Sequence, residues 1–209
     1  MSEPRRRKNI LIIAEGFEEK PYIDKILSFP NIRKDVYRFG ETVNAKGSGN
    51  ILARYQYEIQ RGFYDAVLIF CDADKGSEAF LRLVSDIGAM FFLSEEDALK
   101  TFIFVNPVTL QVVLSHFGEV ALSKVSKVQN AALVYELTGV KNYAAEQSQI
   151  RAIVDHIHYG SLEAFKQRLS KLSTDPKDVP STNFLTFLHR FENEDDTWVD
   201  EIEAARKTI

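Results

Sequence analysis

Two short apolar runs constrain this chain most, because each is a strand-like segment that ends in carboxylates. Ile10–Ala14 is followed at once by Glu15. Ala66–Cys71 is followed by Asp72 and, two residues later, by Asp74. Continuous β-branched runs of this length are typical of parallel strands that are covered by helices on both faces. The chain should therefore contain a layered α/β sheet with acidic residues at its strand ends.

The rest of the N-terminal half alternates helix-like and strand-like segments. Apolar residues at helical spacing predict helices over residues 20–28, 51–61 and 77–90 and after Asn106, and further strands are predicted over 35–40 and 101–105. This alternation implies a mostly parallel, four-stranded, Rossmann-like sheet with flanking helices. After about residue 118 only helices are predicted. We therefore expect an α/β domain over residues 1–118 and a helical extension, or a small helical domain, over residues 119–209.

Composition limits the partners and the compartment. The 209 residues include 26 Lys and Arg against 30 Asp and Glu, a net charge of −4, so any contact with nucleic acid requires a local basic patch. Cys71 is the single cysteine, which excludes an internal disulfide framework and suits a reducing compartment. The apolar runs are much shorter than the ~20 residues that cross a bilayer. These features predict a cytoplasmic protein with no membrane partner.

The strand-end carboxylates suggest a metal site. Sites in open α/β sheets form beyond the carboxyl ends of the strands, so Glu15, Asp72 and Asp74 would converge if their strands were neighbours. Like charges at that distance raise each other's pKa or require a cation. Carboxylate oxygens suit Mg²⁺ or Mn²⁺. The alternative is a purely structural role, because strand ends often reach water.

A glycine-bearing loop, NAKGSGN at residues 44–50, precedes the second predicted helix. Lys46 and Ser48, with backbone N–H groups at the helix start, could bind phosphate, and Arg54 could extend that path. The Gly-Lys-Ser/Thr spacing of a P-loop is absent. A competing interpretation makes Ser48 or Asn50 a simple helix N-cap.

The order of these segments resembles the TOPRIM domain shared by topoisomerases, bacterial primases and OLD-type nucleases. Within that family the chain is most similar to the RloB-like group, which is linked to restriction and phage-defence loci. The similar segments are EGFEE at 15–19, KGSG at 46–49, DAD at 72–74, Asn-Pro at 106–107 and His-Phe at 116–117. An acidic residue usually follows the Asn-Pro in such proteins, whereas this chain has Leu110 and Gln111.

The resemblance implies roles for individual residues. Glu15 would act as a general acid or base, or as a carboxylate that positions a metal. Asp72 and Asp74 would hold Mg²⁺ or Mn²⁺. Glu19 would support this site from one helical turn away, or would be an ordinary acid of a first helical turn. His116 is either a core or capping histidine or a residue that approaches the site.

The function implied is that of a magnesium-dependent nuclease or phosphotransferase that acts on the phosphodiesters of DNA or RNA. The resemblance also implies a defence or mobile-element system, with a protein partner encoded nearby. The alternative is a non-catalytic α/β module that binds a nucleotide or a protein partner. A phosphatase of the Asp-x-Asp type is a weaker third candidate, because Gly76 stands where such enzymes have Thr or Val.

Overall fold

The computed structural model describes residues 6–73, 77–122 and 127–207. Its strands form one six-stranded sheet: β1 Lys8–Ala14, β2 Tyr37–Phe39, β3 Val43–Asn44, β4 Ala66–Asp72, β5 Phe102–Asn106 and β6 Ser181–Thr182. Its helices are α1 Glu19–Leu27, α2 Ile51–Arg61, α3 Ser77–Phe91, α4 Glu95–Leu99, α5 Leu110–Leu114, α6 Lys127–Thr138, α7 Gln147–Asp155, α8 Leu162–Leu169, α9 Phe184–Glu192 and α10 Thr197–Lys207. Short 3₁₀ turns lie at Ser48–Asn50 and Tyr159–Ser161.

The strand order is β2–β1–β4–β5–β6, and β3 also pairs with β1. Residues 10–14 of β1 pair in parallel with residues 66–70 of β4. The other side of β1 pairs first with β2 and then with β3, both in parallel. The chain therefore leaves β1 toward one edge of the sheet, and after α2 it crosses to the other side at β4. The strand order reverses between β1 and β4.

The expected mixed α/β fold with a mostly parallel sheet is confirmed, but the predicted number of four strands is wrong. The two additional strands, β3 and β6, are each two residues long. Such short strands are defined by their partners rather than by a local pattern, and β6 pairs antiparallel with β5 from a segment predicted to be helical. The helix that follows β6, α9, begins at Phe184.

Helices cover both faces of the sheet. On one face, α2, α3 and α4 pack on the odd-numbered residues of β1 and β4. On the other face, α1, α5 and the helices after residue 118 pack on the even-numbered residues. This second core joins residues of both halves of the chain, including Phe70, Ile153, Phe165, Phe184 and Trp198. The helices of the C-terminal half thus complete the core of one face, while the predicted boundary at residue 118 stays a prediction.

Asn183 extends the short β6 strand along the edge of β5. Its side-chain Oδ1 accepts a hydrogen bond from the Phe104 backbone N–H at 2.8 Å, and its Nδ2 donates to the Phe102 carbonyl at 2.7 Å. The Thr182 hydroxyl also donates to the Phe104 carbonyl. Side chains therefore continue the hydrogen bonding of an edge strand that would otherwise present unpaired backbone groups.

We expect Asn183→Ala to lower the free energy of unfolding by about 2–4 kcal/mol, because two backbone groups of β5 lose their partners. Urea denaturation measures this change. The matched control is Asn193→Ala, which removes one exposed hydrogen bond to the His189 carbonyl at the end of α9 and should cost less than about 1 kcal/mol. Equal losses in the two variants would contradict the proposed role of Asn183.

Candidate active site

Glu15 and Asp72 meet at the point where the strand order reverses. The Glu15 backbone N–H donates to the Phe70 carbonyl at 2.9 Å, which continues the β1–β4 pairing. The Asp72 backbone N–H in turn donates to Oε2 of Glu15 at 3.1 Å. Ligands of open α/β sheets bind in the crevice outside the strand ends at such a reversal. The neighbouring strand ends that the sequence analysis required are therefore present.

Thr109 fixes the Asp72 carboxylate. Its backbone N–H and its hydroxyl both donate to Oδ1 of Asp72, at 2.6 and 2.7 Å. Thr109 is fully buried and directly precedes α5, beyond the end of β5. No sequence motif had singled out Thr109; the available indication was a hydroxyl residue just past the end of the strand next to β4.

Glu19 folds back over Gly16. Its Oε2 accepts a hydrogen bond from the Gly16 backbone N–H at 2.7 Å, and its side chain is buried. A Cβ atom at position 16 would lie 3.2 Å from that oxygen, so a larger residue there would crowd the Glu19 carboxylate. Glu19 therefore shapes the turn between β1 and α1 and also brings a carboxylate toward Asp72.

Burial makes this group of carboxylates electrostatically unfavourable. Desolvation raises the pKa of Asp72 well above its usual range, and repulsion by Glu19 and Glu15 raises it further. Desolvation likewise raises the pKa of Glu19 from 4.5 to about 6, with repulsion by Glu18 adding to the shift. A bound proton or cation would relieve this repulsion, which is the electrostatic condition of a metal or acid–base site.

Tyr143 brings the C-terminal half of the chain to the same site. Its phenol is buried, and burial together with the charges of Glu18, Asp72 and Glu19 raises its pKa. The residue lies between α6 and α7, in a segment where no motif indicated a functional role. Its place beside the carboxylates results from the packing of the two halves.

The loop that precedes α2 is hydrogen-bonded to the backbone of Glu15. The Gly47 backbone N–H donates to the Glu15 carbonyl at 2.8 Å, and Asn44 Oδ1 accepts from the Lys46 N–H at 2.7 Å. Lys46 and Gly47 have positive φ angles of 62° and 117°. Asn50 occupies the N-cap position of α2 without a side-chain capping bond, and its Nδ2 donates to the Lys46 carbonyl instead. Asn50 therefore stands at the predicted N-cap position, but it makes no capping hydrogen bond.

Three pockets adjoin this loop. One of about 200 Å³ is lined by Glu15, Asp72, Ser48 and Gly49, with residues of α3 opposite. A second of about 490 Å³ is lined by Glu15, Asp72, Glu18, Glu19 and Lys46. A third of about 360 Å³ is lined by Lys46, Asn50, Arg54 and Tyr57. Lys46 and Ser48 thus share pockets with the carboxylates, whereas Arg54 lines the adjacent pocket.

His116 lies in the hydrophobic core. Its ring stacks on Phe165 at a centroid distance of 3.7 Å, and its Nε2 shares a hydrogen bond of 3.0 Å with the Tyr22 hydroxyl. Burial lowers the pKa of His116 to about 3, and the charge of Arg168 contributes to that shift. The ring is therefore neutral at physiological pH. A role beside the carboxylates stays a prediction.

The Gln111 side chain is hydrogen-bonded to the segment that follows α5. In proteins of the TOPRIM family that this chain resembles, an acidic residue is expected near this position. The buried side chain of Gln111 donates to the Val120 carbonyl and accepts from the Leu122 N–H, each at 2.8 Å. A neutral amide is required for this pair of bonds, because a carboxylate has no N–H to donate. The residue therefore has a structural task at this position.

Only two of the three predicted metal ligands lie within the residues that the structure describes. Glu15 and Asp72 are brought together, whereas Asp74 lies outside the described residues. Within residues 6–73, 77–122 and 127–207, no three His, Cys, Asp or Glu side chains form a ready ligand group, and no helix is both long and apolar enough to cross a membrane. The donors at the site are hard carboxylate oxygens, which fit Mg²⁺ or Mn²⁺.

No protein-family model, curated protein or solved structure matches this chain. Membership of the TOPRIM family accordingly stays a prediction.

We expect Glu19→Gln to stabilise the protein at neutral pH in the presence of EDTA. The raised pKa means that the folded state prefers protonated Glu19, so the wild type loses stability as the pH rises from about 4.5 through 6. Glutamine retains an acceptor for the Gly16 N–H without the charge. The advantage of the variant should therefore grow over this pH range and reach about 2 kcal/mol above it.

Urea denaturation at several pH values between 4 and 8 measures this difference. Glu163→Gln is the control, because the Glu163 side chain is 82% exposed on α8 and should give no comparable gain. An advantage of Glu19→Gln that is equal at all pH values would contradict the proposed origin in burial of the charge.

We expect Gly47→Ala to destabilise the loop by about 1–3 kcal/mol, because its backbone conformation is almost restricted to glycine. A Cβ atom would meet nothing within 4 Å at position 47 or at position 49, but only Gly47 has a positive φ. Gly49→Ala is thus the matched control and should be nearly neutral. Similar free energies of unfolding for the two variants would show that the φ angle of Gly47 is not what requires glycine.

Proposed function

We propose that this protein is a divalent-cation-dependent hydrolase or phosphotransferase that acts on nucleic-acid phosphodiesters, with a site of the TOPRIM type. The observation that carries the proposal is the hydrogen bond between the Asp72 N–H and Glu15 Oε2, at the reversal of strand order. It brings two partly buried carboxylates to one crevice, where their charges are unfavourable unless a cation or a proton is bound.

Each residue of the crevice suits part of this chemistry. A bound Mg²⁺ or Mn²⁺ would stabilise negative charge that develops on a phosphodiester. Asp72, oriented by Thr109, is the principal candidate ligand, and Asp74 is proposed as a second. Glu15 would hold the ion or accept a proton from the attacking water. Its side chain is itself oriented by the Asp72 backbone N–H.

The cationic and polar residues of the 44–50 loop are suited to binding an anionic substrate. Lys46 is exposed and lines the pocket of the carboxylates, and Ser48 lines the smaller pocket opposite α3. A lysine ammonium group can bind a phosphate as a point charge. The defence or mobile-element setting, the cytoplasmic location and a protein partner encoded nearby belong to the same proposal and rest on the sequence resemblance.

Cleavage of labelled single-stranded and double-stranded DNA and RNA with Mg²⁺ or Mn²⁺ tests the proposal. We expect Asp72→Asn and Glu15→Gln to lower the cleavage rate by ~100-fold or more, since each removes several kcal/mol of charge stabilisation. Both substitutions keep the size of the side chain, and asparagine can still accept the Thr109 bonds.

Glu163→Gln, which changes an exposed carboxylate of α8, should cleave like the wild type. Cleavage that persists in EDTA, or that survives Asp72→Asn, would overturn the proposal. Binding of Mn²⁺ by the wild type without cleavage of any of these substrates would instead favour a non-catalytic module.

A further inference from the structure

Exposed aromatic rings alternate with arginines along the outer face of α2 and at Phe63, just after the Gly62 C-cap of that helix. The Tyr57 and Phe63 residues are 51% and 62% exposed, and the Arg54 and Arg61 side chains are both 42% exposed. The Arg61 guanidinium lies 4.9 Å from the Phe63 ring centroid and 5.6 Å from that of Tyr57. Arg54 lies 5.7 Å from the Tyr57 centroid. We call these four residues the α2 stripe.

The α2 stripe leads to the carboxylates. Arg54, Tyr57 and Arg61 follow one another at spacings of three and four residues, so they lie along one side of the helix. With Asn50 at the start, this side is about 16 Å long at ~1.5 Å per residue. Lys46 lines the pocket of Arg54 and Tyr57 and also the pocket of Glu15 and Asp72. The two surfaces are therefore continuous.

The α2 stripe is cationic in a chain whose net charge is negative. Residues 43–64 contain three cations, Lys46, Arg54 and Arg61, and a single acid, Glu58. Glu58 is buried beneath the stripe, 3.7 Å from Arg54 and 3.1 Å from Arg61, so it orients the arginines while their charges face solvent. The two arginines share this one carboxylate, so the stripe keeps a net positive charge.

We propose that the α2 stripe binds single-stranded nucleic acid and directs it to the Glu15–Asp72 pocket; the second part rests on the proposed function. Exposed rings stack on unpaired bases without regard to sequence, and interleaved arginines contact the phosphates. The bases of a duplex are stacked on one another and do not offer their faces to side chains. The arrangement therefore selects single strands over duplexes.

Fluorescence anisotropy in EDTA tests this binding with the full chain and separates it from any cleavage. The probes are labelled oligothymidylate and oligouridylate of about 20 nucleotides, longer than the ~4–16 nucleotides of a typical single-strand site, and a duplex of the same length. Tyr57→Ala and Phe63→Ala should each weaken binding of the single strands by about 5- to 150-fold, equivalent to about 1–3 kcal/mol. Tyr57→Phe keeps the ring and should bind like the wild type.

Tyr135→Ala is the matched control. Tyr135 is also 51% exposed and has a cation, Lys141, 6.0 Å from its ring centroid, but it lies on α6. Its removal should leave the affinity unchanged. Arg54→Gln and Arg61→Gln should each reduce the slope of log affinity against log salt concentration by about 0.7, because each variant neutralises one phosphate fewer than the wild type.

The outcomes distinguish this inference from the proposed function. Weaker binding by Tyr57→Ala and Phe63→Ala, but not by Tyr135→Ala, supports the inference whether or not the protein cleaves nucleic acid. Unchanged affinity in both α2 variants overturns it even if Mg²⁺-dependent cleavage is found. Tighter binding of the duplex than of either single strand, or no binding of single strands by the wild type, also overturns it.

Discussion

The parallel pairing of β1 with β4 is the constraint on which the rest of the site depends. The strand order reverses between these two strands, so the helices that follow them, α1 and α3, pack on opposite faces of the sheet and leave a crevice at the strand ends. The same register places Glu15 beside Phe70 and brings Asp72 within hydrogen-bond distance of the Glu15 carboxylate. A shift of register would separate the carboxylates.

The charges of the site reduce the stability of the folded protein, and hydrogen bonds from neighbouring residues offset part of this effect. Burial, with repulsion by neighbouring glutamates, raises the pKa of Asp72 and of Glu19. Against this, Thr109 donates two hydrogen bonds to Asp72, and Gly16 donates one to Glu19. Residues 10–14 of β1 and 66–71 of β4 are apolar and buried, so the core supplies the stability that the carboxylates reduce. Functional sites are often locally unfavourable in this way and are tolerated because the rest of the fold is stable.

The parts that sequence could predict are those set by local pattern. Buried apolar runs identified β1 and β4, and their trailing acids identified Glu15 and Asp72; helical periodicity also gave α2 its observed bounds, residues 51–61. The missed parts depend on distant partners. β6 exists because Ser181 and Thr182 meet β5, and Thr109 and Tyr143 gain their roles only when the chain folds. His116 had two interpretations in the sequence, and only tertiary contacts place it against Phe165.

The C-terminal half of the chain covers one face of the sheet, and the pockets of Glu15 and Asp72 lie beside the 44–50 loop. The helices after residue 118 cover the face of the sheet that carries α1 and α5, and the buried Tyr143 lies within range of the charges of Glu18, Glu19 and Asp72, which raise its pKa. Of the pockets that contain Glu15 and Asp72, the smaller is lined by Ser48, Gly49 and residues of α3, and the larger by residues 15–19 with Asn44, Lys46 and Gly47. Under the proposed function, a phosphodiester would enter past Lys46 and Ser48, which line these pockets. The α2 stripe begins at that same loop, so a strand bound along α2 would already point toward the carboxylates.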